Sequence, residues 1–336
     1  MKSLIQKLVE IPGPSGYESQ IRNAVRAEVE PLADEVRVDN LGNLIARYGQ
    51  QHNDGIKIML AAHIDEIGVI ATHIDERGFV RFSTIGGVRS HTLPGGRVRF
   101  LDGHLGVIGV ERPVNYYDNP GFDRMYIDLG VDSRDDSLIR VGDVAAFERP
   151  FIDLGKRLIS KAMDDRIGVV VLIEALRKLR EEAFETPNQI FFVFSVQEEV
   201  GVRGATAAAY GLNPDLGLAV DITPSGDTPQ GMRMEVQLGK GPAIKVRDKG
   251  MLADPRIIDW MAETAGALKM PYQLEILEIG GTDARAIQLT RAGVPAGCLS
   301  IPCRYAHSPS EMVDYDDVQA AVKLLVALLK KPAILS

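Results

Sequence analysis

Cysteine is scarce: the 336 residues contain two, Cys298 and Cys303, in one short stretch. No second pair completes a thiolate metal site and no framework of paired spacings exists, so we expect inert thiols in a reducing compartment. Positive charge is in deficit as well. Against 46 Asp+Glu stand 38 Lys+Arg, a formal net charge of -8, and that field repels a phosphate backbone, so nucleic acid is not an expected partner. Long apolar runs are missing too: no segment approaches the roughly 18 residues a membrane span needs. Met1 to Gly16, with Lys2, Lys7 and Glu10, lacks the continuous apolar stretch of a signal peptide. We therefore expect no membrane partner and a cytoplasmic location. What is present, 45% hydrophobic and 25% charged residues, is the average of a globular enzyme, and the length suits about two domains of roughly 100–200 residues.

The pattern along the chain changes twice. Leu4, Ile5 and Leu8 give a first helix, stopped by Pro12-Gly13-Pro14, and Tyr17 to Glu30 gives a second. Short β-rich runs follow at Val36 to Val38, Asn43 to Arg47 and Lys57 to Ala62. From about Gly68 to Gly155 helical spacing disappears, and strands such as Val69 to Ile74, Phe79 to Phe82, Arg97 to Leu101, Gly106 to Val110 and Val144 to Phe147 alternate with Gly turns. Beyond Ser160 helices and buried strands alternate. The helix from Arg166 to Arg180 carries an apolar stripe of Val169, Leu172, Ile173, Leu176 and Leu179, and the strands Gln189 to Ser195, Leu216 to Asp221 and Val294 to Ile301 follow. The fold class expected is α/β: one three-layer α/β/α domain built from residues 1–67 and 157–336, interrupted by an all-β insert over residues 68–156.

In an open α/β sheet the ligand crevice lies beyond the carboxyl ends of the strands. Five apolar runs end there in polar residues: in His63 and Asp65, in Asp164 and Asp165, in Gln197-Glu198-Glu199, in Asp221, and in Arg304 to His307. Carboxylates gathered at one edge repel each other unless cations neutralise them. A metal site resolves the conflict, and nitrogen and oxygen donors without thiolate suit zinc, cobalt or manganese rather than calcium. Two histidines and three carboxylates, one of them bridging, can hold two divalent ions. Such a pair generates hydroxide near neutral pH and polarises a carbonyl. Glu198 and Glu199 are neighbours in an extended segment and point to opposite sides, so one can ligate while the other moves protons; the spacing does not say which. His63 and Asp65 share a face, which allows Asp65 to accept from the free ring N–H of His63 and fix its tautomer.

The segments 61–68 (AAHIDEIG), 161–166 (KAMDDR), 197–201 (QEEVG), 219–221 (AVD) and 305–309 (YAHSP) resemble the TET-type, glutamyl aminopeptidase-like family of cocatalytic metallo-aminopeptidases. Segments 280–284 (GGTDA) and 291–295 (RAGVP) resemble it too, and order and placement match from about Ile5 to Lys330. The resemblance implies a zinc-peptidase-like α/β/α domain whose inserted, barrel-like β domain serves as a dimerisation or lid element. It implies that His63 and Asp221 hold one metal, that Glu199 and His307 hold the other, and that Asp164 bridges them. It further implies Glu198 as general base, Asp65 as the residue orienting His63, two divalent ions per subunit, zinc or cobalt, and dimers assembling into a tetrahedral dodecamer. The function expected is removal of N-terminal residues from short peptides by a hydroxide that two metals activate, with Glu198 as general base.

Plainer readings stand beside these. His52, His73 and His104 are expected to be ordinary surface or hydrogen-bonded histidines, while His91, after Gly86-Gly87, fits either an exposed loop or a neighbour of the site. Asp164 and Asp165 also suit the start of a helix, as Thr282 and Asp283 suit a cap. Ser308 lacks the strained turn of a nucleophilic serine. The rival activities are a carboxypeptidase or N-acyl deacylase, which needs a cation such as Arg304 or Arg285 for the substrate carboxylate, an endoglucanase-like glycosidase working through two carboxylates without metal, and a metal-binding scaffold without catalysis.

Overall fold

Four of the apolar runs, Lys57–His63, Gln189–Ser195, Leu216–Pro224 and Ala296–Arg304, are strands with no face suited to water. Side chains alternate along an extended chain, and here both sets are buried. Ile58, Leu60 and Ala62 join Ile190, Phe192 and Phe194 in one core, while Met59 and Ala61 join Phe191, Val193 and Ile287 in another. Helices must therefore cover the sheet on both sides. A computed structural model, which describes residues 1–49, 55–111 and 120–331, shows that they do. Helices Lys2–Glu10, Ser19–Val29, Met163–Glu181, Pro255–Ala267 and Tyr315–Lys330 close the larger core, and Arg203–Leu212 and Asp283–Gln288 close the smaller. His52 lies outside the described residues, as do residues 332–336 and 112–119 of the two expected domains.

The four strands run parallel in the order Gln189–Ser195, Lys57–His63, Leu216–Pro224, Ala296–Arg304. The 11-stranded sheet is wider than its apolar centre. Leu44–Tyr48 and Glu35–Val38 extend one side antiparallel, and Glu311–Asp314, Arg157–Ser160 and Ile152–Asp153 extend the other. Ala243–Arg247 and Gln273–Ile276 branch from the strand Ala296–Arg304. Both branch strands escape sequence analysis because a charge interrupts each one; those charges, Lys245 and Glu275, are buried against each other as an ion pair.

Residues 68–147 contain a closed barrel of six strands: Gly68–Ile74, Val80–Ile85, Met125–Asp128, Leu105–Val110, Arg97–Phe100 and Val144–Phe147, the last pairing with the first. It encloses its own core of Val69, Val80, Val98, Phe100, Ile127 and Phe147. The chain leaves the sheet after His63 and returns at Ile152–Asp153 and Arg157–Ser160, so the barrel is inserted between two runs of candidate site residues. A buried ion cluster pins both junctions. Glu66 accepts from Lys161 Nζ at 2.8 and 2.9 Å and from the Gly13 amide at 2.8 Å, with Arg166 3.7 Å away. Arg166 in turn donates to the carbonyls of Leu8 at 2.7 Å and Ile11 at 3.1 Å, tying the end of the first helix to the same point.

The helix expected from Arg166 is assigned from Met163, with non-helical backbone at Asp164 and Asp165. Asp165 Oδ1 accepts from the Gly168 amide at 3.0 Å, the capping role its position suggests. Gly168 is where this helix crosses the strand Leu216–Pro224: a Cβ there would lie 2.6 Å from the Val220 carbonyl and 2.4 Å from Asp165 Oδ2. The close approach sets Asp164 and Asp165 beside Asp221.

Candidate metal centre

Parallel register brings the polar strand ends to one edge. His63 closes its strand opposite Ser195, with Glu198 and Glu199 just beyond, and Asp221 lies opposite Ser300, upstream of His307. His63 Nε2 is 3.0 Å from Asp164 Oδ1 and 4.0 Å from Asp221 Oδ1. His307 Nε2 is 3.3 Å from Asp164 Oδ2 and 3.7 Å from Glu199 Oε2. Asp164 thus turns one oxygen to each histidine, with Asp221 at one end of the row and Glu199 at the other. Asp165 is a further acid beside His63 and Asp221, their donor atoms lying within 4.8 Å of one another; its Oδ2 has no hydrogen-bond partner among the described residues.

The backbone around this row is held by hydrogen bonds. Asp65 Oδ1 accepts from the Glu198 amide at 2.9 Å, and its Oδ2 accepts from the Glu199 amide at 3.2 Å and from Ser15 Oγ at 2.6 Å. The His63 Nδ1 donor lies 3.1 Å from the Asp65 carbonyl and 3.5 Å from Asp65 Oδ1, so the nearer contact is the backbone oxygen rather than the carboxylate that spacing suggests. His307 Nδ1 donates to the Gly87 carbonyl at 3.0 Å, leaving Nε2 free to face the carboxylates. Glu311 accepts from the amides of His307 at 2.7 Å and Asp164 at 3.0 Å.

Gly87 and Glu311 hold candidate site residues in place, and sequence reasoning missed both. Gly86-Gly87 reads only as a turn, and Glu311 opens a short strand with nothing to mark it. A Cβ at Gly87 would sit 2.6 Å from His307 Nδ1, so Gly87→Ala must push the imidazole aside. We expect it to cost roughly 10²-fold in turnover and to reduce bound metal, with the unfolding midpoint little changed. Kinetics and elemental analysis of one preparation check this; full metal content and full rate would show that the glycine is incidental.

Burial of so many acids is electrostatically costly. It pushes Asp221, Glu198 and Asp165 well above the ordinary carboxyl range, Glu199 up to about 7 and Glu311 up to about 8. Burial also opposes the Asp164 anion, but hydrogen bonds from His307 and His63 hold that carboxyl low. Against their own burial, the neighbouring carboxylates raise both imidazoles, His307 to about 11. The donor set matches a centre for cations: imidazole and carboxylate donors 3.0–4.0 Å apart bracket the roughly 3.4 Å between tetrahedral ligands at bonds of about 2.1 Å.

Beside this row lies a cavity of about 270 Å³ lined by His63, Asp164, Glu198, Asp221 and His307, with Ile222, Leu277 and Ile279 on its apolar wall. Glu198 faces this space, while Glu199 Oε2 faces His307. Neither cation named for a carboxypeptidase lines this cavity. Arg304 is held by both oxygens of Asp227, at 3.0 and 2.7 Å, and Arg285 lines a different cavity with Tyr210 and Arg291.

The sequence profile of a family described as M42 glutamyl aminopeptidase matches residues 42–324. A lysyl aminopeptidase of Pyrococcus furiosus is 37% identical, over 98% of this chain and 96% of its own. Among solved structures, aminopeptidase APDkam598 from Desulfurococcus kamchatkensis is 39% identical with a TM-score of 0.93, covering 98% of this chain and 94% of its own. The Pyrococcus horikoshii TET1 peptidase, described as able to assemble into a tetrahedron or a large octahedral shell, is 33% identical with a TM-score of 0.88, covering 97% and 98%. A Thermotoga maritima structure named as an endoglucanase is a weaker match, 33% identical with a TM-score of 0.79, each chain covered to 96%.

Proposed function

The chain belongs to the M42 glutamyl aminopeptidase family, and on that premise we propose that it is a two-metal aminopeptidase removing N-terminal residues from short peptides. The observation that carries this reading is Asp164, one oxygen toward His63 and Asp221 and the other toward His307 and Glu199. His63 and Asp221 would hold one divalent ion, His307 and Glu199 the other, with Asp164 shared; zinc or cobalt suits these donors. Bound there, the ions supply Lewis acidity that draws the pKa of a water toward neutrality and polarises the scissile carbonyl.

The chain's own residues do the rest. Glu198, facing the cavity, takes the proton of the attacking water and returns it to the leaving amine. Asp65 fixes the Glu198 amide and lies against the His63 ring, so general base and ligand keep one relative position. The substrate's free α-amino group is received among the carboxylates at the end of the row, which restricts cleavage to the first residue. The insert over residues 68–156 completes the site through Gly87 and supplies surface for dimers. Leu105, Val107, Leu138 and Val141 are exposed on it, and the shells formed by the Pyrococcus horikoshii relative support assembly of this chain through dimers into a tetrahedral dodecamer. Among the described residues no helix is long and apolar enough to cross a membrane.

Metal analysis combined with a panel of aminoacyl p-nitroanilides and matched free and N-acetylated peptides tests the reading. We expect about two ions per chain and cleavage of the free-amine substrates alone. Cleavage confined to the acetylated forms would replace it with the deacylase or carboxypeptidase, and hydrolysis of a cellulose oligomer that survives chelation with the glycosidase.

A further inference from the structure

A second groove, of about 340 Å³, shares a lining residue with the cavity at the metal centre. Arg89 lines both spaces, and Ser308, next in sequence to His307, lines the groove. The polar groups lining the groove include Arg89, Arg149, His91, Tyr305, Ser308 and Ser310, and Ile159 and Met312 are among its apolar lining. No carboxylate lines it, in a chain whose net charge is -8. Among the described residues neither the Arg89 nor the Arg149 guanidinium has a hydrogen-bond or ion-pair partner. Nor does the neighbouring acid supply one: Glu148 is engaged by Arg99 through two bonds of 2.8 Å. Two permanently charged, planar donors left unpaired beside hydroxyl groups form a receptor for a carboxylate.

We propose that this groove binds a carboxylate carried by the part of the peptide beyond the scissile bond, anchoring short substrates from their far end while the amino terminus sits at the metal centre. The proposal rests on the aminopeptidase reading for the direction in which the peptide lies. It divides the site by charge: the acids at the metal centre receive the ammonium end, and the arginines one cavity away receive the acidic end. A substrate carboxylate reaches them either as the C-terminus or as an Asp or Glu side chain.

The test compares Leu-Gly-Gly as free acid, Leu-Gly-Gly amide and Leu-Gly-Asp amide on the metal-loaded enzyme. We expect KM for the free acid to be roughly tenfold below that of the plain amide, the scale of one charge-assisted contact. A low KM for the Asp-containing amide as well means that the groove takes a side-chain carboxylate; a low KM for the free acid alone means that it reads the C-terminus. In Arg149→Gln the acid-to-amide contrast should collapse toward one, and Arg149→Lys, keeping charge without the planar fork, should restore part of it. Equal KM values in the native enzyme, or a contrast that survives Arg149→Gln, overturn the proposal. Equilibrium binding of the same peptides to Glu198→Gln keeps the two readings apart. Tighter binding of the acid that Arg149→Gln abolishes, with no Leu-p-nitroanilide turnover by the native enzyme, leaves the groove standing and removes the aminopeptidase.

Discussion

Glu198→Gln is expected to lower peptide turnover by roughly 10²- to 10⁴-fold while both ions stay bound. The substitution keeps shape and removes the basic oxygen, so it separates proton transfer from ligation. Glu198 lines the cavity together with His63, Asp164, Asp221 and His307, four of the five side chains proposed to hold the ions. Its amide is held by Asp65 whichever side chain follows, and burial already disfavours its charge, so the neutral amide should cost little stability. Loss should fall on kcat rather than KM, because the base acts in the transition state and touches little of the ground-state substrate. Elemental analysis and kcat on one p-nitroanilide check it. A variant that keeps its rate would leave a scaffold or a different base, and Glu199→Gln, which should instead deplete the metal beside His307, is the control.

The candidate site is legible where burial and polarity collide in the sequence. His63, Glu198, Glu199 and Asp221 each close or follow a run apolar enough to be buried on both faces, and such runs have few arrangements open to them. The inserted barrel is legible as a loss of helical spacing after His63. Its closure is not, because Gly68–Ile74 must find Val144–Phe147 across most of the insert, and nothing local encodes that pairing. Strand Met125–Asp128 is too short to show a period. The residues that support the proposed ligands are hidden for a different reason. Glu311 acts by accepting two backbone amides and Gly87 by offering a carbonyl, and backbone partners leave no signature in residue type. Lys245 and Glu275 look like breaks in strands until the fold sets them against each other.

Removing the ions should abolish turnover and also lower the melting temperature, because the site concentrates more acid than its own cations can offset. Asp164, Asp165, Glu198, Glu199, Asp221 and Glu311 are buried or largely so around two imidazoles. Ions that bind the native state stabilise it by about 2.7 kcal/mol at a hundredfold excess over the dissociation constant, and chelation withdraws that. The two ions should not be equivalent under mutation. Asp221→Ala removes a donor from the His63 end alone, so one ion of about two should remain, held by His307 and Glu199. Asp164→Ala removes the oxygen facing each histidine, so both should go and the melting temperature should fall to that of the chelated protein. Elemental analysis and thermal unfolding of the two variants, with and without chelator, decide the matter. An Asp164→Ala protein that retains both ions would mean that Asp165, whose free oxygen lies beside His63 and Asp221, rather than Asp164, completes the centre.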